Sequence, residues 1–125
     1  MPVDVNFEYN EHENILFAKL VGNMDTDEDA IEVFEKIKAN ADRIGKKCWF
    51  VSDVTELFPK SGPAIKYSKM SSSLHGTWHA SISIVKSLIQ KSGMKLVGTF
   101  RKEIVHVVSS REEALEVIEK LKSQQ

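Results

Sequence analysis

The chain has 125 residues, 42% hydrophobic and 28% charged, with a formal net charge of −1 from 17 basic and 18 acidic side chains. This length and balance describe one globular domain over residues 1–125 that needs neither disulfide nor metal to fold. They exclude a disordered chain and give no overall electrostatic reason to expect a nucleic acid or an anionic membrane as partner.

The single cysteine, Cys48, lies in an apolar run and reads as a reduced, buried thiol. The first residues carry no basic region followed by an apolar core. No stretch approaches the roughly 18 apolar residues of a membrane span. The expectation is a cytoplasmic protein.

Val3, Val5, Phe7 and Tyr9 alternate with polar residues, which predicts a half-buried strand. Asn10 to Asn14 is turn-like. Ile15 to Val21 predicts a second strand joined to the first by a hairpin, with Ile15, Phe17 and Lys19 on one side and Leu16, Ala18 and Leu20 on the other. Gly22 and Asn23 are expected to end it. Thr26 then offers an N-cap, and Asp29 three residues on completes an acidic capping box. Ala30, Phe34, Ile37, Ala41 and Ile44 form one apolar helical stripe, and Gly45 supplies the stop.

Cys48 to Val51 predicts a short buried strand that gives way to a loop at Asp53. The loop carries Pro59, Ser61, Gly62 and Pro63. A weaker helical pattern follows to Leu74, with Gly62-Pro63 in its first turn and Gly76 at its end. Trp78, Ala80, Ile82 and Ile84 alternate with His79, Ser81 and Ser83 in a fourth strand. Ser87 caps an expected helix over Leu88, Ile89, Leu96 and Val97, interrupted by Gly93. Ile104 to Val108 is a short strand. Ser110 and Glu113 make a second capping box, and Ala114, Leu115, Ile118 and Leu121 share a face of the last helix. The order ββαβαβαβα predicts an α/β fold with a mixed, mostly parallel sheet that begins with a hairpin.

Four stretches carry a resemblance: Ile15-Leu-Phe-Ala-Lys-Leu-Val-Gly22, Met24-Asp-Thr-Asp-Glu-Asp-Ala30, Trp49-Phe-Val-Ser-Asp53 and Ser109-Ser-Arg-Glu-Glu-Ala-Leu115. With the element order, they resemble the STAS family, the domain shared by sulfate transporters and anti-sigma-factor antagonists. The small stand-alone SpoIIAA-like proteins are the most similar group. The resemblance implies a regulatory domain that binds a protein partner. In the antagonists an Asp-Ser-Ser-Gly loop at the start of the second helix holds a regulatory phosphoserine. The matching residues here are Pro59-Lys60-Ser61-Gly62, so Ser61 and Gly62 fit and Pro59 and Lys60 depart.

Two readings of Ser61 stand: a phosphorylation site at a helix start, or a residue of a capped turn. Asp53 either anchors its loop through backbone N–H groups or meets a ligand at the carboxyl end of a strand. Lys60, Lys66 and Lys69 with Tyr67 form a small basic-aromatic patch, and Phe58 beside Pro59 is an interaction hint. His75 and His79 are four apart, but Gly76 breaks the helix between them and no third ligand is evident, so no metal is expected. His12 falls in a turn and His106 in a strand. No nucleophile elbow and no glycine-rich phosphate loop occurs, so neither an enzyme nor a cofactor is expected.

The leading reading is a non-enzymatic regulatory or protein-interaction module that uses residues 57–70, Asp53, Phe58, Lys60, Ser61, Gly62, Lys66 and Tyr67 among its binding residues. The alternative is a small-molecule or lipid carrier with an apolar pocket beside the 61–74 helix, drawn from Phe58, Met70 and Trp78. The edge from Val3 to Tyr9 also offers a homodimer contact.

Overall fold

The computed structural model describes residues 3–86 and 105–125. Strand β1 (Val3–Asn10) turns into β2 (Ile15–Met24), and helix α1 (Asp27–Ile44) follows. Then come β3 (Cys48–Pro59), α2 (Ser61–Ser71), a 3-10 stretch (Ser72–Thr77), β4 (Trp78–Ile84), β5 (Val105–Val108) and α3 (Arg111–Ser123). The helix expected over Ser87, Leu88, Ile89, Gly93, Leu96 and Val97 lies outside the described residues, as does Ile104. The five strands form one sheet in the order β1-β2-β3-β4-β5. β1 and β2 are antiparallel, and the remaining neighbours are parallel. This is the mixed, mostly parallel α/β sheet that the sequence predicts.

The hairpin turns at Asn14, whose φ of 59° is one asparagine tolerates better than most residues. Its side chain accepts a hydrogen bond from the Tyr9 hydroxyl at 2.7 Å and donates to the Lys47 carbonyl at 2.8 Å. One residue thus ties the hairpin to the start of β3. β1 is a sheet edge, and its exposed row of Asp4, Asn6, Glu8 and Asn10 includes two carboxylates, which disfavour edge-to-edge pairing.

α1 begins at the Thr26 capping box, where the Thr26 hydroxyl accepts from the Asp29 N–H and the Asp29 carboxylate accepts from the Thr26 N–H. It ends at Gly45, whose φ of 73° is left-handed and whose N–H donates to the Ala41 carbonyl. α1 and α2 lie on one face of the sheet. Ala30, Val33, Phe34 and Ile37 pack there against Leu16, Ala18, Leu20, Phe50 and Val54. On the other face Ala114 and Ile118 of α3 pack on Ile15, Phe17, Trp49, Val51, Ile82 and Ile84. Cys48 is fully buried, and that desolvation pushes its thiol up to about 11, so it is protonated at neutral pH.

Five sequence expectations are corrected. β2 runs past Gly22 and Asn23 to Met24. β3 does not stop at Asp53; Glu56 to Pro59 stay paired with Val21 to Met24 of β2. α2 ends at Ser71, and the 3-10 stretch takes the chain past Gly76 to Thr77. Trp78 does not share a face with Ala80, Ile82 and Ile84. Cys48 pairs with Trp78 but Trp49 with Ala80, so β4 carries one extra residue, and Trp78 falls on the α1 side, stacked on Phe50. Leu115 stays 38% exposed, because the buried stripe of α3 runs through Ala114 and Ile118, flanked by Val117 and Leu121.

Candidate functional site

The residues expected at the site divide into three places. Phe58, Lys60, Ser61, Gly62 and Lys66 are exposed together where β3 passes into α2. The junction is firm, because the Lys60 N–H donates to the Met24 carbonyl at 3.0 Å and the Ala64 N–H to the Lys60 carbonyl at 3.0 Å. Ser61 is the first helical residue, after an N-cap, Lys60, that offers no side-chain cap. No acidic residue occupies the first turn, so the positive end of the helix dipole is left without the carboxylates that complement it in α1 and α3. Lys60 reaches Asp25 at 3.8 Å, but both are exposed and the pair contributes little. Phe58 is 65% exposed, the most exposed large hydrophobic side chain among the described residues. A Cβ on Gly62 would meet nothing within 4 Å, so this glycine is not required by space.

Tyr67 leaves this group. It is half-buried and packs against the core between the sheet and α1. The buried residues of α2 are Pro63, Ser68 and Ser71. The α1-side face of β3 and β4 also carries buried hydroxyls among its apolar residues, Ser52, Ser81 and Ser83, with the Ser52 and Ser83 hydroxyls 3.2 Å apart. Phe58 and Trp78 do not border one cavity. Trp78 pairs with Cys48 at the opposite end of β3 from Phe58, a separation of roughly 30 Å at the usual rise per strand residue.

Asp53 is the third place. It lies on the α3 side of the sheet, in a cleft of about 510 Å³. The cleft forms where α3 leaves the carboxyl ends of β2 and β3 uncovered. Phe17, Val51 and Ile84 supply its apolar floor, and Glu8, Lys19, Asp53, Thr55 and Arg111 its polar wall. β3 is bulged here: Lys19 pairs with Asp53 and Val21 with Glu56, so β3 has one residue more than β2. Asp53 holds that bulge. Its Oδ1 accepts from the Thr55 N–H at 3.0 Å and from the Thr55 hydroxyl at 2.6 Å. Lys19 pairs with Glu56 at 3.0 Å, and this contact, helped by Asp53, raises its pKa above 10.5. Arg111 lies 3.8 Å above the Phe17 ring and pairs with Glu8 at 2.8 Å, which ties the start of α3 to the edge strand.

Lys19, Thr55 and Arg111 were not singled out from the sequence as site residues. The signal for Lys19 was its alternation with Ile15 and Phe17, which puts a charge on a covered face of a central strand. Such a charge marks a gap in the helical cover. Arg111 and Thr55 carried no comparable local signal.

Among the described residues no group of three or more His, Cys, Asp or Glu side chains is placed to hold a metal ion. No helix among them is long and apolar enough to cross a membrane. His12 is exposed in the hairpin turn and His106 is half-buried in β5. His79 lies against Trp49, with ring centroids 5.0 Å apart. Desolvation there, followed by the charges of Lys47 and Lys122, lowers its pKa below 6.5. The unfolded chain then binds a proton at His79 before the folded chain does. Stability from this group is present above pH 6.5 and falls as the pH drops toward the folded pKa. The expected results are an NMR midpoint for His79 below 6.5 and a weaker acid dependence of unfolding in His79→Gln.

No protein-family model matches the sequence, and no curated protein matches it. Among solved structures, the chain is similar to an uncharacterised protein of the DUF3478 family from Shewanella loihica PV-4, described as having a SpoIIAA-like fold. The TM-score is 0.68 at 16% identity, covering 92% of each chain. At that identity the likeness speaks for the fold alone: this chain has a SpoIIAA-like fold.

Proposed function

We propose that this SpoIIAA-like chain is a non-enzymatic, STAS-type regulatory module that binds a protein partner where β3 runs into α2. The observation that carries the reading is Phe58. It is 65% exposed on a firmly hydrogen-bonded junction, next to exposed Pro59, Lys60 and Ser61. A rigid aromatic surrounded by polar groups is the kind of anchor that dominates protein interfaces. Ser61 is the regulatory position of the proposal. A phosphate there adds about two negative charges beside an uncapped helix start. It also competes with Asp25 for the Lys60 ammonium.

The test begins with a photo-crosslinking residue at position 58, followed by identification of the captured protein. Its affinity is then measured for the wild type, Phe58→Ala and Ser61→Asp. Phe58→Ala is expected to weaken binding by roughly tenfold or more, the scale of an aromatic anchor. It leaves the circular dichroism spectrum unchanged. Ser61→Asp is expected to shift the affinity by about fivefold, the lower end of allosteric couplings. Unchanged affinity in Phe58→Ala rules out this surface. Unchanged affinity in Ser61→Asp alone removes the switch and leaves the surface.

A further inference from the structure

We propose that the cleft on the α3 side of the sheet binds a small organic cation, a primary ammonium carried on an apolar or aromatic body. This site is distinct from the junction at Phe58 and does not depend on it.

The cleft of about 510 Å³ falls within the range that holds small ligands. Its floor of Phe17, Val51 and Ile84 is apolar and largely formed by buried side chains, so it is already shaped. Its charges decide what it takes. Arg111 pairs with Glu8 at 2.8 Å, and Lys19 pairs with Glu56 at 3.0 Å and feels Asp53 only more weakly. That leaves Asp53. Among the described residues no cation comes within ion-pair distance of its carboxylate. One oxygen is held by Thr55, and the other has no hydrogen-bond partner among the described residues. Asp53 is half-buried and stands beside the apolar floor. Among the described residues the lining cations Lys19 and Arg111 stand with the lining carboxylates Glu8 and Asp53, and Glu56 adds a third carboxylate beside Lys19. A cation with a hydrophobic body satisfies both features: the ammonium donates to the free Asp53 oxygen, and the body covers Phe17, Val51 and Ile84. An anionic ligand that used Arg111 or Lys19 would have to share it with Glu8 or Glu56, which already pair with those cations.

The probe is 2-phenylethylammonium, titrated into the full chain and followed by amide chemical shifts. The comparison ligand is 3-phenylpropionate, of similar size and opposite charge. The ammonium is expected to give saturable shifts at Phe17, Val51, Asp53, Thr55 and Ile84, with a Kd on the order of 1 mM for a ligand this small. The carboxylate is expected to give none there. Asp53→Asn removes the charge and keeps an oxygen for Thr55 to donate to, so the bulge survives, and ammonium binding weakens by about fivefold or more. Arg111→Gln frees Glu8 and strengthens ammonium binding by roughly twofold or more. Three results would overturn the proposal: no saturable shifts at the cleft, equal binding of the carboxylate, or an unchanged Kd in Asp53→Asn with its fold intact.

Discussion

Trp78→Ala is expected to destabilise the domain by about 3–5 kcal/mol, the scale for removing a large aromatic side chain from a packed core. Trp78 is 4% exposed and stacks on Phe50, with ring centroids 4.5 Å apart and planes 14° apart. The bulge at the start of β4 turns it onto the α1 side, where it joins Cys48, Leu74 and the α1 stripe in one cluster. Truncation removes the stack and leaves a cavity. The rigid strand pair around it cannot close that cavity without undoing the bulge. A domain of this kind has on the order of 5–15 kcal/mol of stability in total, so the loss is a large share. Urea denaturation followed by the remaining Trp49 measures it directly. Trp78→Phe keeps an aromatic face on Phe50 and is expected to cost about half as much. A loss below about 1 kcal/mol in Trp78→Ala would mean that the site collapses freely and that the bulge does not fix it.

The same residue shows what the sequence could and could not disclose. Strict alternation from Trp78 to Ile84 is present, and it identifies the strand correctly. It assigns Trp78 to the wrong face because a bulge is a property of pairing with β3, and one strand's sequence does not contain it. β3 repeats the lesson. Its first residues are an apolar run, but Asp53, Thr55, Glu56 and Pro59 read locally as a loop. They stay extended because Val21 to Met24 of β2 lie alongside and because Asp53 binds Thr55 across the bulge. The capped helices were legible for the opposite reason. Thr26 with Asp29 and Ser110 with Glu113 carry their instructions within four residues. At the site, Phe58, Lys60, Ser61, Gly62 and Lys66 are neighbours in the chain and remain neighbours in space. The cleft joins Glu8, Phe17, Lys19, Asp53 and Arg111 from four elements, so only the sheet register and the position of α3 bring it together.

A double-mutant cycle on Ser52 and Ser83 is expected to show a coupling of about 1 kcal/mol, with each single alanine variant costing roughly 1–3 kcal/mol. Both hydroxyls are buried, at 7% and 2% exposure, and lie 3.2 Å apart across the β3–β4 pair. Removing either leaves the other as a buried polar group without this partner, and that desolvation cost is the larger part of the loss. Removing both takes the two groups away together. Ser52→Ala with Ser83→Ala is therefore expected to cost less than the sum of its parts. Chemical denaturation of the four proteins measures the difference, and strict additivity would show that the two hydroxyls do not depend on each other. The pair also explains the weak helical pattern of α2. Ser52, Ser81 and Ser83 put three buried hydroxyls on the α1-side face of β3 and β4, and α2 itself buries Pro63, Ser68 and Ser71 rather than a leucine stripe. With little apolar surface of its own to bury, α2 relies on α1, on Tyr67 and Met70, and on the backbone junction at Lys60. The helix that begins at Ser61 thus packs chiefly on α1 rather than through an apolar stripe of its own on the sheet. A change of charge at its first residue acts at the backbone junction that fixes the start of this helix beside α1.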